Sequence, residues 1–286
     1  MIDIVYTSVP MGDRERNELL YNGNLIVFKK ISGMLEVNCI LDKMIRENFG
    51  DDPIRAVSEC PELFDVNMKG LQKDFRNNRD VLPFFKLALS QSGMDLGGNY
   101  ADSLFLRCVP PIPNVTNVTR GKIGVHRDTW GSNIQQQINW WSSVYSLTEE
   151  NTIVFYPKYW QTPVSNDTDS WSYEAFCAAR TTARRHDRPS CIDYPYAPSA
   201  TQEVQHSDAV SVVVNPGDIL CFSSAHLHAS TPDPETYSRF NIELRSFTGR
   251  DVRDENNSEP RNIDNAQIDP KYEWFKCLRD GSDFHA

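Results

Sequence analysis

The chain lacks a long apolar run, a paired-cysteine motif and a block of basic charge. Each absence removes a class of function. No stretch approaches the roughly 20 apolar residues that a membrane-spanning helix needs, so no membrane span is expected. The seven cysteines are odd in number, widely spaced and free of any C-x-x-C pair. That pattern is poor for a disulfide framework or a zinc knuckle, and they read as reduced thiols. A net charge of -10 without clustered Lys and Arg does not suit a nucleic-acid surface. The opening MIDIVYTSVPMGDRERN has no basic start leading into an apolar core, so no secretory signal is read there. Together these absences predict a cytoplasmic protein whose partners are neither membrane nor nucleic acid. They leave its oligomeric state open.

What is present is enough apolar material for a sizeable core, with 40% hydrophobic and 11% aromatic residues in 286. A single domain over 1–286 is expected. Residues 1–100 read as helix-rich. Asn24 to Lys29 is an early strand, and Leu35, Ile40, Leu41, Met44 and Ile45 approximate helical spacing before a stop at Gly50. A second helix is expected over Asp80 to Gln91. From 101 to 250 short strands take over: Leu104–Val109, Lys122–Thr129, Gln137–Leu147, Thr152–Tyr156, Val210–Val214, Ile219–Ser223 and Arg239–Phe247. Turn chemistry between them points to an antiparallel sandwich or barrel. Residues 158–205 form a long polar insertion containing Trp160, Trp171, Tyr173, Tyr194 and Tyr196, and are expected to make an ordered lid. Within it Arg180, Arg184, Arg185 and His186 form a basic run that reads foremost as a solvated face. Residues 251–286 are a polar extension with a short helix near Tyr272 to Leu278.

Histidine is scarce, at six residues, and half of these fall in two segments. GVHRDTWG carries His126 and Asp128 two apart. On a strand, alternation sends both to one face. There, an imidazole nitrogen and a carboxylate oxygen supply two ligands for a divalent metal, and a distant histidine would complete a 2-His-1-carboxylate triad. H-x-D alone is a weak signal. The second segment, NPGDILCFSSAHLHASTPDPETYSRFNIELR, holds His226 and His228, then Ser230, Arg239 and Arg245. A guanidinium with a serine hydroxyl makes a good carboxylate clamp. The loop before Arg239 would let it lie on a strand neighbouring that of His228.

Three pieces carry a resemblance: VHRD at Val125 to Asp128, INWWSSVYSLTEENTIVFYP at Ile138 to Pro157, and PGDILCFSSAHLHASTPDPETYSR at Pro216 to Arg239. In order and spacing they resemble the iron(II)- and 2-oxoglutarate-dependent dioxygenases, in particular the phytanoyl-CoA dioxygenase-like branch. The resemblance spans roughly Leu104 to Phe247. It implies a mainly β fold with N-terminal helices, built on a double-stranded β-helix (jelly roll, cupin-like) core. It further implies His126, Asp128 and His228 as Fe(II) ligands, Arg239 with Ser230 as the anchor for 2-oxoglutarate, and O2 as the oxidant. Because Asp128 is present, hydroxylation, desaturation or ring formation fits better than halogenation. The alternative pairing of His226 with Arg245 is disfavoured by the offsets to Ser230 and Arg239. Arg107 and Gln137 are candidates to touch the cosubstrate. Trp130, Asn139, Trp141 and His226 are candidates for the substrate pocket. A metal-binding jelly roll that is non-catalytic, or that does not use 2-oxoglutarate, is the competing reading.

Overall fold

A computed structural model describes residues 2–111, 124–185, 194–195, 197–231, 237–254, 260–264, 266 and 268–285. The first part of the chain contains β1 (Ile4–Thr7), α1 (Asp13–Tyr21), β2 (Leu25–Phe28), α2 (Ser32–Phe49), α3 (Pro53–Glu59), α4 (Phe64–Asn77) and α5 (Val81–Gln91). The β-rich part contains β3 (Asn99–Ala101), β4 (Phe105–Val109), α6 (Thr129–Ser132), β5 (Ile138–Ser143), β6 (Ile153–Phe155), α7 (Tyr173–Arg185), β7 (Val210–Val212), β8 (Ile219–Ser223), β9 (His228–Ser230) and β10 (Arg239–Thr248). The last elements are α8 (Gly249–Arg253) and β11 (Lys276–Cys277), with a single 3-10 turn at Tyr272–Trp274 before β11.

Two sheets face one another. The larger runs β1-β2-β8-β5-β10-β3-β11, with β4 also paired to β10, and the smaller runs β7-β6-β9. The described pairings are antiparallel except β1 with β2. This is the expected mainly β, jelly-roll core with helices on one side. Adjacent tryptophans show how one strand serves both faces. Trp140 points to the helical layer, where it stacks on Phe28 at 6.0 Å. Trp141 points between the sheets, among Val27, Phe155, Leu220 and Phe222, as strand alternation requires.

The helical layer packs through α2. Its buried face is Met34, Val37, Leu41, Met44 and Ile45, a 3-4-3 spacing that makes one apolar stripe. Leu35, expected on that stripe, is 48% exposed. Gly50 ends the helix in the left-handed region (φ 84°), its N–H bonded to the Arg46 carbonyl at 2.8 Å. Among the described residues no helix is long and apolar enough to cross a membrane.

Several elements differ from expectation. No strand forms over the described part of 122–129. His126 makes an isolated bridge to His228, and the chain then turns into α6. β1, α1, α3 and α4 were not anticipated; Pro53 and Pro61 each open a helical turn. The insertion contains α7. The turn at Tyr272–Trp274 is shorter than the expected helix and leads into β11. His228 and Arg239 lie on opposed sheets, not on neighbouring strands. His186, Tyr196, residues 122–123 and most of the loop before Arg239 lie outside the described residues, as do the side chains of Arg184 and Arg185.

Candidate active site

Two backbone hydrogen bonds, each 3.0 Å, bind His126 to His228 and set their rings side by side. Asp128 follows in helical conformation (φ -66°, ψ -26°) at the start of α6. The turn, rather than strand alternation, brings its carboxylate back onto the two rings. Asp128 Oδ1 lies 3.7 Å from His126 Nε2, and Oδ2 lies 3.5 Å from His228 Nε2. The three donor atoms fall within 4.8 Å of one another.

The far side of each ring is already engaged. His126 Nδ1 is 2.8 Å from the Gly124 carbonyl, and His228 Nδ1 is 2.9 Å from the His226 carbonyl. Those carbonyls can only accept, so each Nδ1 carries a proton and Nε2 is the ring nitrogen that faces Asp128. Burial, together with His126, pushes the His228 pKa down to about 4, offset in part by Asp128, so this ring is neutral at pH 7. Burial alone would raise the Asp128 pKa. Its contacts with His126 and His228 in their protonated forms, and with Arg245 at 3.9 Å, hold it well below the usual carboxylate range. Lone pairs and a carboxylate converging on one point repel unless a cation sits among them. This N,N,O donor set fits a divalent first-row metal.

Asp128 is held from behind. Asn139 Nδ2 donates to Asp128 Oδ2 at 2.5 Å, Ser224 Oγ donates to Asn139 Oδ1 at 2.7 Å, and Gln137 Nε2 donates to Ser224 Oγ at 2.7 Å. This relay fixes the carboxylate's rotamer.

Arg239 occupies the other end of the same pocket. It is 3% exposed. Its Nη2 donates to Ser230 Oγ at 3.0 Å and its Nη1 to the Thr152 carbonyl at 2.6 Å, and its guanidinium lies over the Trp141 ring at 5.7 Å. Among the described residues no carboxylate forms an ion pair with it. Burial, then the nearby Arg107, push its pKa down to about 10, while Glu243 opposes them. Arg107 itself is paired to Glu243 at 2.6 Å.

The pocket thus brings together His126, Asp128, His228, Ser230, Arg239, Arg107, Asn139 and Trp141, with Ile153, Phe222 and Leu244 as apolar wall. Three sequence candidates do not line it. Gln137 sits behind the wall in the relay. Trp130 turns away and donates its indole N–H to Asp264 at 2.9 Å. His226 is boxed between Trp160 and Phe155, with ring centroids 4.4 and 5.6 Å away. Glu243 was missed as a pocket residue, and Arg245, weighed as the alternative anchor, lines the pocket beside Asp128. The signal for them was R-x-N-x-E-x-R from Arg239 to Arg245, a period-two polar face on β10.

No family model and no curated protein matches the chain. It is similar to the crystal structure of EvdO2 from Micromonospora carbonacea var. aurantiaca complexed with 2-oxoglutarate, at 12% identity and TM-score 0.46, covering 84% of this chain and 92% of that one. It is also similar to EctD from S. alaskensis with bound Fe, at 14% identity and TM-score 0.41, covering 85% and 79%. A third likeness is to SnoK, the non-heme alpha ketoglutarate dependent carbocyclase from nogalamycin biosynthesis, at 12% identity and TM-score 0.37, covering 84% and 87%. Likeness at this level assigns no family.

Proposed function

We propose that this chain is a non-haem iron(II)/2-oxoglutarate-dependent oxygenase that oxidises a C–H bond of a small molecule. One observation carries the reading: a single buried pocket has metal donors at one end and, at the other, a buried guanidinium with no carboxylate partner among the described residues. A metal site alone would have no use for the second feature. A dicarboxylate that chelates the metal and reaches the guanidinium uses both.

His126, Asp128 and His228 would hold the iron. Arg239, assisted by Ser230, would bind the cosubstrate carboxylate remote from the metal, and Arg107 stands beside it. When bound, iron with 2-oxoglutarate and O2 supplies the oxidising power for C–H cleavage. The chain contributes position and dryness. Asn139 holds Asp128 so that it cannot swing away. The Arg107–Glu243 pair places a negative charge between Arg239 and Arg245 on β10, limiting repulsion among buried cations. Ile153, Phe222 and Leu244 exclude water. Cys39, Cys60, Cys177, Cys221 and Cys277 form no disulfide among the described residues, which supports a reducing compartment such as the cytoplasm.

The test is anaerobic titration of the purified chain with Fe(II) and then 2-oxoglutarate, followed by visible charge-transfer absorption and by calorimetry. Asp128→Ala should abolish metal binding. Arg239→Gln should weaken 2-oxoglutarate binding by about ten- to a hundredfold, the cost of losing a charge-assisted pair, and leave iron affinity close to wild type. Full metal binding by Asp128→Ala sinks the triad. If Arg245→Gln, and not Arg239→Gln, weakens 2-oxoglutarate, the anchor is misassigned.

A further inference from the structure

Beyond Asp128 a second cavity of about 330 Å³ opens on the side away from Arg239, at the lower end of the size range for small-molecule sites. Asp128 and Arg245 line both cavities, so the two share a border at the metal carboxylate. Its walls are rings: Trp171, Tyr173 and Phe176 from the insertion, Trp274 from the C-terminal turn and Phe105 from β4. Tyr173 and Trp274 close one corner, with centroids 4.2 Å apart. Trp171 and Phe176 lie nearly parallel, at 28° and 6.5 Å.

Tyr173, Phe176 and Arg180 fall at i, i+3 and i+7 of α7, so one helical face supplies two rings and a cation. Arg180 is half-buried and has no ion pair among the described residues, although it lines a cavity that also contains Glu273. The other cation there, Arg245, is paired to Asp102 at 2.6 Å. Apart from that pair and the metal carboxylate, the polar groups lining it among the described residues are Ser103, Glu273, Arg180, the Tyr173 hydroxyl and the Trp171 and Trp274 indole N–H groups.

We infer that the substrate is a planar aromatic carboxylic acid, its ring system held among Trp171, Phe176 and Trp274 and its carboxylate on Arg180. Flat rings gain from offset or edge contacts on these walls, and a guanidinium binds a carboxylate with two parallel hydrogen bonds. This rests on the oxygenase reading for what happens to the substrate, but its binding can be measured without any turnover.

The probes are 2-naphthoate, its neutral counterpart 2-naphthylmethanol and the non-planar cyclohexanecarboxylate, titrated calorimetrically into the full chain with and without 2-oxoglutarate. We expect 2-naphthoate to bind tightest. Arg180→Gln should weaken it by about tenfold or more and leave 2-naphthylmethanol unchanged. Trp274→Ala should weaken both naphthalene probes. Arg239→Gln should leave 2-naphthoate affinity unchanged, since the cosubstrate anchor is a different site. The inference is overturned if 2-naphthoate does not bind, if Arg180→Gln has no effect, if cyclohexanecarboxylate binds equally well, or if Arg239→Gln abolishes 2-naphthoate binding. Specific 2-naphthoate binding alongside failed Fe(II)/2-oxoglutarate titrations would keep the acid site and discard the oxygenase.

Discussion

His226 and His228 stand two residues apart and do opposite things. On a continuous strand they would share a face. β9 begins only at His228, so His226 lies in the preceding turn and its ring packs among aromatics while that of His228 enters the pocket. Burial, then the neighbouring charges of His228 and Arg127, push the His226 pKa down to about 3, and its Nε2 has no hydrogen-bond partner among the described residues. The unfolded chain protonates this group near pH 6.5, so acid favours unfolding. The contribution to stability is intact above about pH 6.5 and drains away as pH falls toward 3, at roughly 1.4 kcal/mol per pH unit. In urea denaturation of metal-free protein, wild type should therefore lose about 2 kcal/mol more than His226→Leu between pH 7 and 5. Equal losses would show that His226 does not titrate on unfolding. At this scale the metal donors could be read as candidates from residue type and spacing. The relay through Gln137 could not, because nothing in a linear sequence says that Ser224 will lie between Gln137 and Asn139.

At the scale of elements, apolar periodicity located α2, α5 and most of the strands. It failed where a helix buries few apolar side chains, as α7 does, with Phe176 its one fully buried residue among those described. H-x-D was read as a strand pair and turned out to be a bridge followed by a helical turn, which reaches the same convergence by a different route. The close approach of α2 to α5 shows what periodicity cannot convey. A Cβ on Gly33 would lie 2.8 Å from Ala88 N and 3.0 Å from Phe84 O, both backbone atoms of α5. Gly→Ala inside a helix ordinarily stabilises by about 1 kcal/mol. Here the obstructing atoms are main chain and cannot rotate aside, so the overpacking cost of about 1–3 kcal/mol wins. Gly33→Ala should lower the melting temperature of the whole chain. A raised melting temperature would mean the helices separate freely at that point.

The molecule as a whole is tied together by one buried ion pair that a single sequence could not disclose. Arg127, between two of the proposed ligands, reaches Asp264 of the C-terminal extension at 2.7 Å, with both side chains under 5% exposed. The same guanidinium donates to the carbonyls of Ala225 at 2.5 Å and Tyr159 at 2.6 Å. Asp264 in turn accepts from Trp130 Nε1 and, at 2.8 Å, from the Val164 backbone N–H. The ligand loop, the start of the insertion and the C-terminal segment therefore meet at two charges. Removing one charge strands the other in a dry site. Asp264→Asn should cost about 3–5 kcal/mol in denaturant unfolding. It should also weaken metal binding by roughly tenfold or more, as loss of support behind a ligand does. Replacing both partners, Arg127→Met with Asp264→Leu, removes the stranded charge and should recover much of that stability, although the Ala225 and Tyr159 carbonyls lose their donor. If Asp264→Asn instead cost no more than the roughly 1 kcal/mol of a surface pair, the extension would be an appendage and the ligand loop would owe its position to the His126–His228 bridge alone.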